Sequence, residues 1–110
     1  ITLPCEVTVG TSIWMTRRDY EKIAHGISTI AQEIKDQIGD QTPKFVLQFD
    51  CTGRGKSAFR EQQKMKLLHQ LQQSVGADIP WLGFYTYGEI GPVSGHNCFH
   101  NYTAVLMAVY

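Results

Sequence analysis

The chain has 110 residues, a length that fits one domain, and it is 43% hydrophobic and 18% charged, as ordinary globular proteins are. Ten basic side chains balance ten acidic ones. That argues against nucleic acid, whose binders usually carry a basic excess. No run nears the ~18 apolar residues of a membrane helix, and no signal-peptide pattern opens the chain. A cytoplasmic domain without membrane contact is expected. Because the first residue is not Met, the chain reads as a segment of something longer. Cys5, Cys51 and Cys98 are odd in number and widely spaced, so they read as reduced thiols rather than a disulfide framework.

Leu3 to Met15, with Val7, Val9, Ile13 and Trp14, predicts a first strand, interrupted near Gly10. Tyr20, Ile23, Ala24, Ile27, Ile30, Ala31, Ile34 and Ile38 then repeat at helical spacing. Thr16 is the candidate N-cap, and Gly39 with Pro43 ends the helix. Lys44 to Asp50 is apolar enough for a buried strand. The glycine-bearing turn from Cys51 to Gly55 leads into a second helix, predicted from Ser57 to Ser74 with Leu67, Leu68, Leu71 and Val75 as its stripe. Trp81 to Tyr87 reads as a third strand, and Asn101 to Tyr110 as a fourth. Gly88 to His100 reads as a long connection, a length that in small domains is usually functional or disordered. The order β-α-β-α-β-β predicts an α/β sandwich whose sheet is mostly parallel, with an antiparallel final strand.

Ligands of open α/β sheets bind beyond the carboxyl ends of the strands. That rim collects Thr16, Arg17 and Arg18 from the first strand, and Asp50, Cys51, Thr52 and Arg54 from the second. Tyr87 and Glu89 come from the third, and His100, Asn101 and Tyr102 from the start of the fourth. A helix opened by the glycine turn favours an anion, and Arg54 offers a fork suited to carboxylate. Glu89 and Asp50 suit an ammonium group. Together these fit a small zwitterion such as an amino acid. In the alternative reading Arg54 pairs with Asp50 or Glu89 and merely fastens the turn.

Several other chemistries have a foothold. Gly55-Lys56-Ser57 resembles the end of a phosphate-binding loop, but the required first glycine is replaced by Asp50, which repels phosphate. His96, Cys98 and His100 alternate and, with Cys51, are zinc-ligand types at a spacing that matches no zinc pattern. A nucleophilic cysteine, Cys51 or Cys98, needs a base such as His96 or His100 beside it and a lowered pKa. Arg60, Lys64 and Lys66 on the second helix suit protein docking, and the apolar last strand suits pairing across an edge with a second copy.

The run Gly83-Phe84-Tyr85-Thr86-Tyr87-Gly88-Glu89-Ile90-Gly91-Pro92, followed by Phe99-His100-Asn101-Tyr102-Thr103, resembles the signature of the FIST C-terminal domain. The upstream Cys51 to Arg54 matches a C-x-x-R that recurs in that family. The resemblance implies the C-terminal portion of a larger FIST sensory module, spanning residues 1–110 as a single domain. It implies a non-catalytic input domain of a bacterial signalling protein, with no cofactor. FIST modules are proposed to sense small ligands such as amino acids, and they occur beside chemoreceptor, kinase and cyclic-nucleotide-turnover modules. The implied partners are a small ligand, the N-terminal half of the module and a downstream signalling domain. The candidate ligand contacts are Cys51, Arg54, Tyr87, Glu89, His100 and Asn101, with no catalytic or metal residue assigned.

Overall fold

The computed structural model describes residues 6–110. Helix α1 spans Tyr20–Ile38 and strand β1 spans Phe45–Cys51. Helix α2 spans Glu61–Val75, and strands β2, β3, β4 and β5 span Trp81–Thr86, Glu89–Val93, His96–His100 and Ala104–Val109. The isoleucine stripe of α1 buries Ile27, Ala31, Ile34 and Ile38. Asp19 caps the helix, its carboxylate accepting the Lys22 N–H, so the cap lies three residues past Thr16. Gly39 closes the helix at positive φ, as its lack of a Cβ permits, and donates its N–H to Lys35.

The architecture is α/β with a mixed sheet. β1 lies at the centre of the order β2-β1-β5, parallel to β2 and antiparallel to β5. The expected antiparallel final strand is present, but the sheet holds one pair of each kind rather than mostly parallel pairs. Side chains alternate across the sheet. Val46, Gln48 and Asp50 turn toward the helices, while Leu47, Phe49 and Cys51 turn away. Ile27 and Ala31 of α1 meet Leu71 of α2, with Trp81 and Leu106 of the sheet packed beneath them. Val46 is wholly buried. On the outer face Phe45, Leu82, Phe84 and Met107 stay exposed, and Phe49 meets Phe84 edge to face at 5.2 Å.

Three sequence expectations are corrected. The first strand does not form: Leu3 to Cys5 lie outside the described residues, and Glu6 to Met15 carry no strand. The segment pairs with no strand in the structure, and an unpaired segment does not form a ladder. Helix α2 starts at Glu61 rather than Ser57, where the Arg60 N–H donates to the Gln63 side chain. The long connection from Gly88 to His100 is a hairpin, β3 pairing with β4. Ser94 and Gly95, both at positive φ, form its two-residue turn, the geometry that matches strand twist. Pro92 is tolerated because both strands of a two-stranded ribbon are edges.

Replacing Leu71 by Ala should cost about 3 kcal/mol, since it empties the contact between the helices. Replacing the exposed Leu82 by Ala should cost about 0.5 kcal/mol or less. Urea unfolding of both variants checks the contrast, and equal losses would mean that the two faces are equally buried.

Candidate functional site at the carboxyl rim

The chemistry gathers where β1 ends. Successive residues Asp50 and Cys51 leave the strand on opposite faces, so each organises a separate cluster. On the helix side, Arg54 donates from Nη1 to Asp50 Oδ1 at 3.1 Å, and both side chains are largely buried. Burial pushes the Asp50 carboxyl above its ordinary range. The Arg54 charge and hydrogen bond pull it back, and the Glu89 charge adds a smaller upward push.

The turn that positions Arg54 is closed on itself. Arg54 and Gly55 donate their N–H groups to Cys51 O at 3.0 and 2.8 Å, and Ser57 donates to Thr52 O at 2.9 Å. Those amides are not free to cradle an anion, and α2 begins six residues beyond Gly55. This corrects the helix-terminus anion reading and removes the basis of the phosphate-loop reading. Gly55 is required by close approach, since an added Cβ would stand 2.3 Å from Asp50 Oδ2. At Gly53 the same atom would meet the Tyr102 ring at 2.4 Å.

On the hairpin side, Cys51 Sγ donates to Asn101 Oδ1 at 3.4 Å, and the same oxygen accepts the Tyr102 N–H at 3.0 Å. Glu89 is 2% exposed. It accepts from Thr86 Oγ1 at 2.5 Å and from Thr103 Oγ1 at 3.0 Å. Its carboxylate therefore ties the end of β2 and the start of β5 to the hairpin. Among the described residues no cation lies within ion-pair distance of it. His100 donates from Nε2 to Gly91 O at 3.2 Å, across the hairpin. Tyr87 stands in solvent.

The six candidate residues thus share one end of the sheet but not one cluster. Arg54 lies on the helix side. Cys51, Glu89, His100 and Asn101 form the hairpin-side network, and Tyr87 joins neither.

The rim also holds an open cleft of about 730 Å³ lined by Thr16, Arg17, Arg18, Lys22, Arg54 and Tyr102, with Asp19 and Ile23. Four cations face one carboxylate there. The Arg18 guanidinium lies 5.1 Å from the Tyr102 ring centroid, a cation–π contact that fixes this wall. Arg54 also lines a second, small cavity of about 50 Å³ between the helices and the sheet, beside Asp50, Lys64 and Tyr85. Sequence reasoning brought Arg17 and Arg18 to this rim but missed Lys22. The signal was its place in the first turn of α1, four residues after Arg18.

Cys51 is buried, and the exposed Cys98 donates to the His96 carbonyl at 3.6 Å. Neither thiol bonds a histidine ring among the described residues. No group of three or more His, Cys, Asp or Glu is placed to hold a metal ion among the described residues. Among the described residues no helix is long and apolar enough to cross a membrane.

A mixed α/β sheet with a polar rim at its carboxyl end is a fold class that serves many ligand-binding domains. The chain belongs to the FIST C domain family, whose model matches residues 1–92, and that family is one of sensory domains in bacterial signalling proteins. It is 41% identical over 58 residues to the uncharacterized protein Rv0628c of Mycobacterium tuberculosis, a match covering 53% of this chain and 14% of that protein. Over the same coverage it is 38% identical to the uncharacterized protein Mb0898c of Mycobacterium bovis. The match thus spans about one seventh of these relatives. No solved structure matches the chain.

Two measurements test the rim. Glu89→Ala should destabilise the domain by about 1–3 kcal/mol, because two hydroxyls lose their acceptor. Tyr87→Ala should leave stability nearly unchanged. Equal thermal shifts for the two would contradict the anchoring role of Glu89. Folded Asp50 holds its proton more tightly than the same residue in the unfolded chain. Its contribution therefore favours folding at low pH and declines as pH rises from the ordinary aspartate value through the raised one. The stability difference between the unaltered chain and Asp50→Asn should fall across that window in urea titrations at stepped pH. A flat or rising difference would overturn the assignment.

Proposed function

We propose that this domain senses a small carboxylate-bearing metabolite, an amino acid being the class that fits, and that it catalyses no reaction on it. The cleft lined by Arg17, Arg18, Lys22 and Arg54 carries this reading. Its charge is strongly one-sided in a chain of zero net charge, and guanidinium forks bind carboxylates through paired hydrogen bonds. Ile23 and the Tyr102 ring supply apolar wall for a side chain. Asp50 and Glu89 are engaged with Arg54 and with two hydroxyls, so they hold the rim rather than present free carboxylates. In this reading Cys51, His100 and Asn101 are supports of the rim. The signal passes to the N-terminal half of the module and to a downstream signalling domain.

Thermal melting against a panel of L-amino acids, dicarboxylates and simple amines tests the proposal. A ligand that prefers the native state must stabilise it, by about 2.7 kcal/mol at a hundredfold excess over Kd. Carboxylates should raise Tm and amines should not. Arg54→Ala and Arg17→Ala should each weaken binding about tenfold or more, the scale of one charged hydrogen bond. Binding untouched by both changes would refute the site.

A second reading rests on the outer face of the sheet, where Phe45, Leu82, Phe84 and Met107 are exposed. Contiguous apolar surface of this kind marks interaction sites, and it supports a docking or dimerisation module. Light scattering over rising concentration tests it: a persistent monomer counts against the homodimer.

A further inference from the structure

The outer edge of β5 is an open strand edge. Cys51 donates its N–H to Thr103 O at 2.9 Å, and β5 pairs with β1 in antiparallel register. In such a ladder alternate residues bond inward. Val105, Met107 and Val109 therefore bond to β1, while the N–H and C=O groups of Ala104, Leu106 and Ala108 point outward. Ala104 and Leu106 line a groove of about 280 Å³ running between Ile30 and Ile34 of α1 on one side and Gly91 to Val93 of the hairpin on the other. An apolar strand edge left open in this way is a template for pairing.

The segment ahead of α1 has the matching properties. Val7, Val9, Ile13 and Met15 fall on one side of an extended chain, with Thr11 between them, while Glu6, Thr8, Gly10, Ser12 and Trp14 fall on the other. That alternation is the pattern of a half-buried strand. Yet Val9, Ile13, Trp14 and Met15 are all exposed. The end of the segment is already at the right corner. Arg18 lies over Tyr102, two residues before β5 begins.

Topology selects this edge over the one at β2. Both helices lie on the same face of the sheet, and β1-α2-β2 steps from β1 toward β2. A strand ahead of α1, parallel to β1, gives its crossover the same hand only if it starts beyond β5. The same hand is required, because such crossovers are almost uniformly right-handed. Helix α1 packs over β5, as a crossover beginning beyond that strand demands.

We propose that residues 7–15 dock in cis along the outer edge of β5 as a fourth, antiparallel strand, filling the groove between α1 and the hairpin. The segment is a strap hinged at Thr16 to Arg18. Docking completes the sheet and takes Val7, Val9, Ile13 and Met15, which share one side of the strand, out of water.

Amide hydrogen exchange by NMR on the full 110-residue chain tests this. The amides of Ala104, Leu106 and Ala108 should exchange at least about tenfold more slowly than exposed coil, as hydrogen-bonded strand amides do. Cross-strand contacts between Val7–Met15 and Ala104–Ala108 should appear in the same spectra. Ile13→Pro should abolish the protection of the three outward amides while leaving Val105 and Met107 protected, which shows that the variant remains folded. If Ile13→Pro fails to fold, the cross-strand contacts in the unaltered chain decide. Fast exchange of the three amides in the unaltered chain would overturn the proposal, as would absent cross-strand contacts or protection indifferent to Ile13→Pro. Protection that grows with protein concentration alongside a dimer mass would also overturn it, by assigning the edge to a second copy.

Discussion

The structure depends on one alternation, at the carboxyl end of β1. Among the described residues this strand alone in its sheet has a neighbour on both sides, and Val46 within it is wholly buried. Because adjacent side chains of a strand point to opposite faces, Asp50 enters the helix side and Cys51 the hairpin side. The first draws in Arg54 and the closed turn. The second draws in Asn101 and, through the neighbouring strand ends, the network around Glu89. A shift of one residue in register would exchange the two environments and leave Asp50 facing the hairpin without its guanidinium. The rim is thus two sites back to back, joined by backbone rather than by side-chain contact.

Much of this was legible in the sequence for plain physical reasons. The isoleucine period of α1 is long and regular, and its glycine stop is unambiguous. The runs from Lys44 and from Trp81 are short, apolar and flanked by turn residues, so β1 and β2 were evident. That Arg54 and Glu89 share one end of the sheet followed from strand order alone. The finer arrangement was not legible. Gly91-Pro92 reads as a breaker, which hid the hairpin, although the Ser94-Gly95 pair marks a two-residue turn. The start of α2 was misplaced because the glycine turn reads as leading straight into the helix, while Arg54, Gly55 and Ser57 are held in a closed turn and the Arg60 N–H is taken by Gln63. Nothing in residue spacing tells that Glu89 turns inward onto Thr86 and Thr103, since that depends on the register of β3 against β4.

The missing first strand is a different kind of discrepancy. Val7 to Met15 has strand composition, so local preference and observed conformation disagree, and such conflicts are informative. Local preference is satisfied only when a ladder accepts the segment. Both hinge arginines, Arg17 and Arg18, also line the cationic cleft. Residues that set the path of the segment are therefore the residues that set the charge of the site, and displacement of one changes the other.

The polarity of the two sheet faces bears on what such a domain is built to meet. The face under the helices carries Gln48 and Asp50 along β1 beside the buried Val46, whereas the outer face carries Leu47 and Phe49 there, with Phe84 edge to face against Phe49. In a free-standing domain the hydrophobic effect favours the reverse, with the apolar row covered and the polar row in water. Burying a carboxylate costs free energy unless it is paired, and Arg54 supplies that pair. A buried ion pair is weak as a source of stability, since an apolar pair of the same volume would serve as well or better. In the function proposed above, the pair is kept because it holds Arg54 at the wall of the cationic cleft.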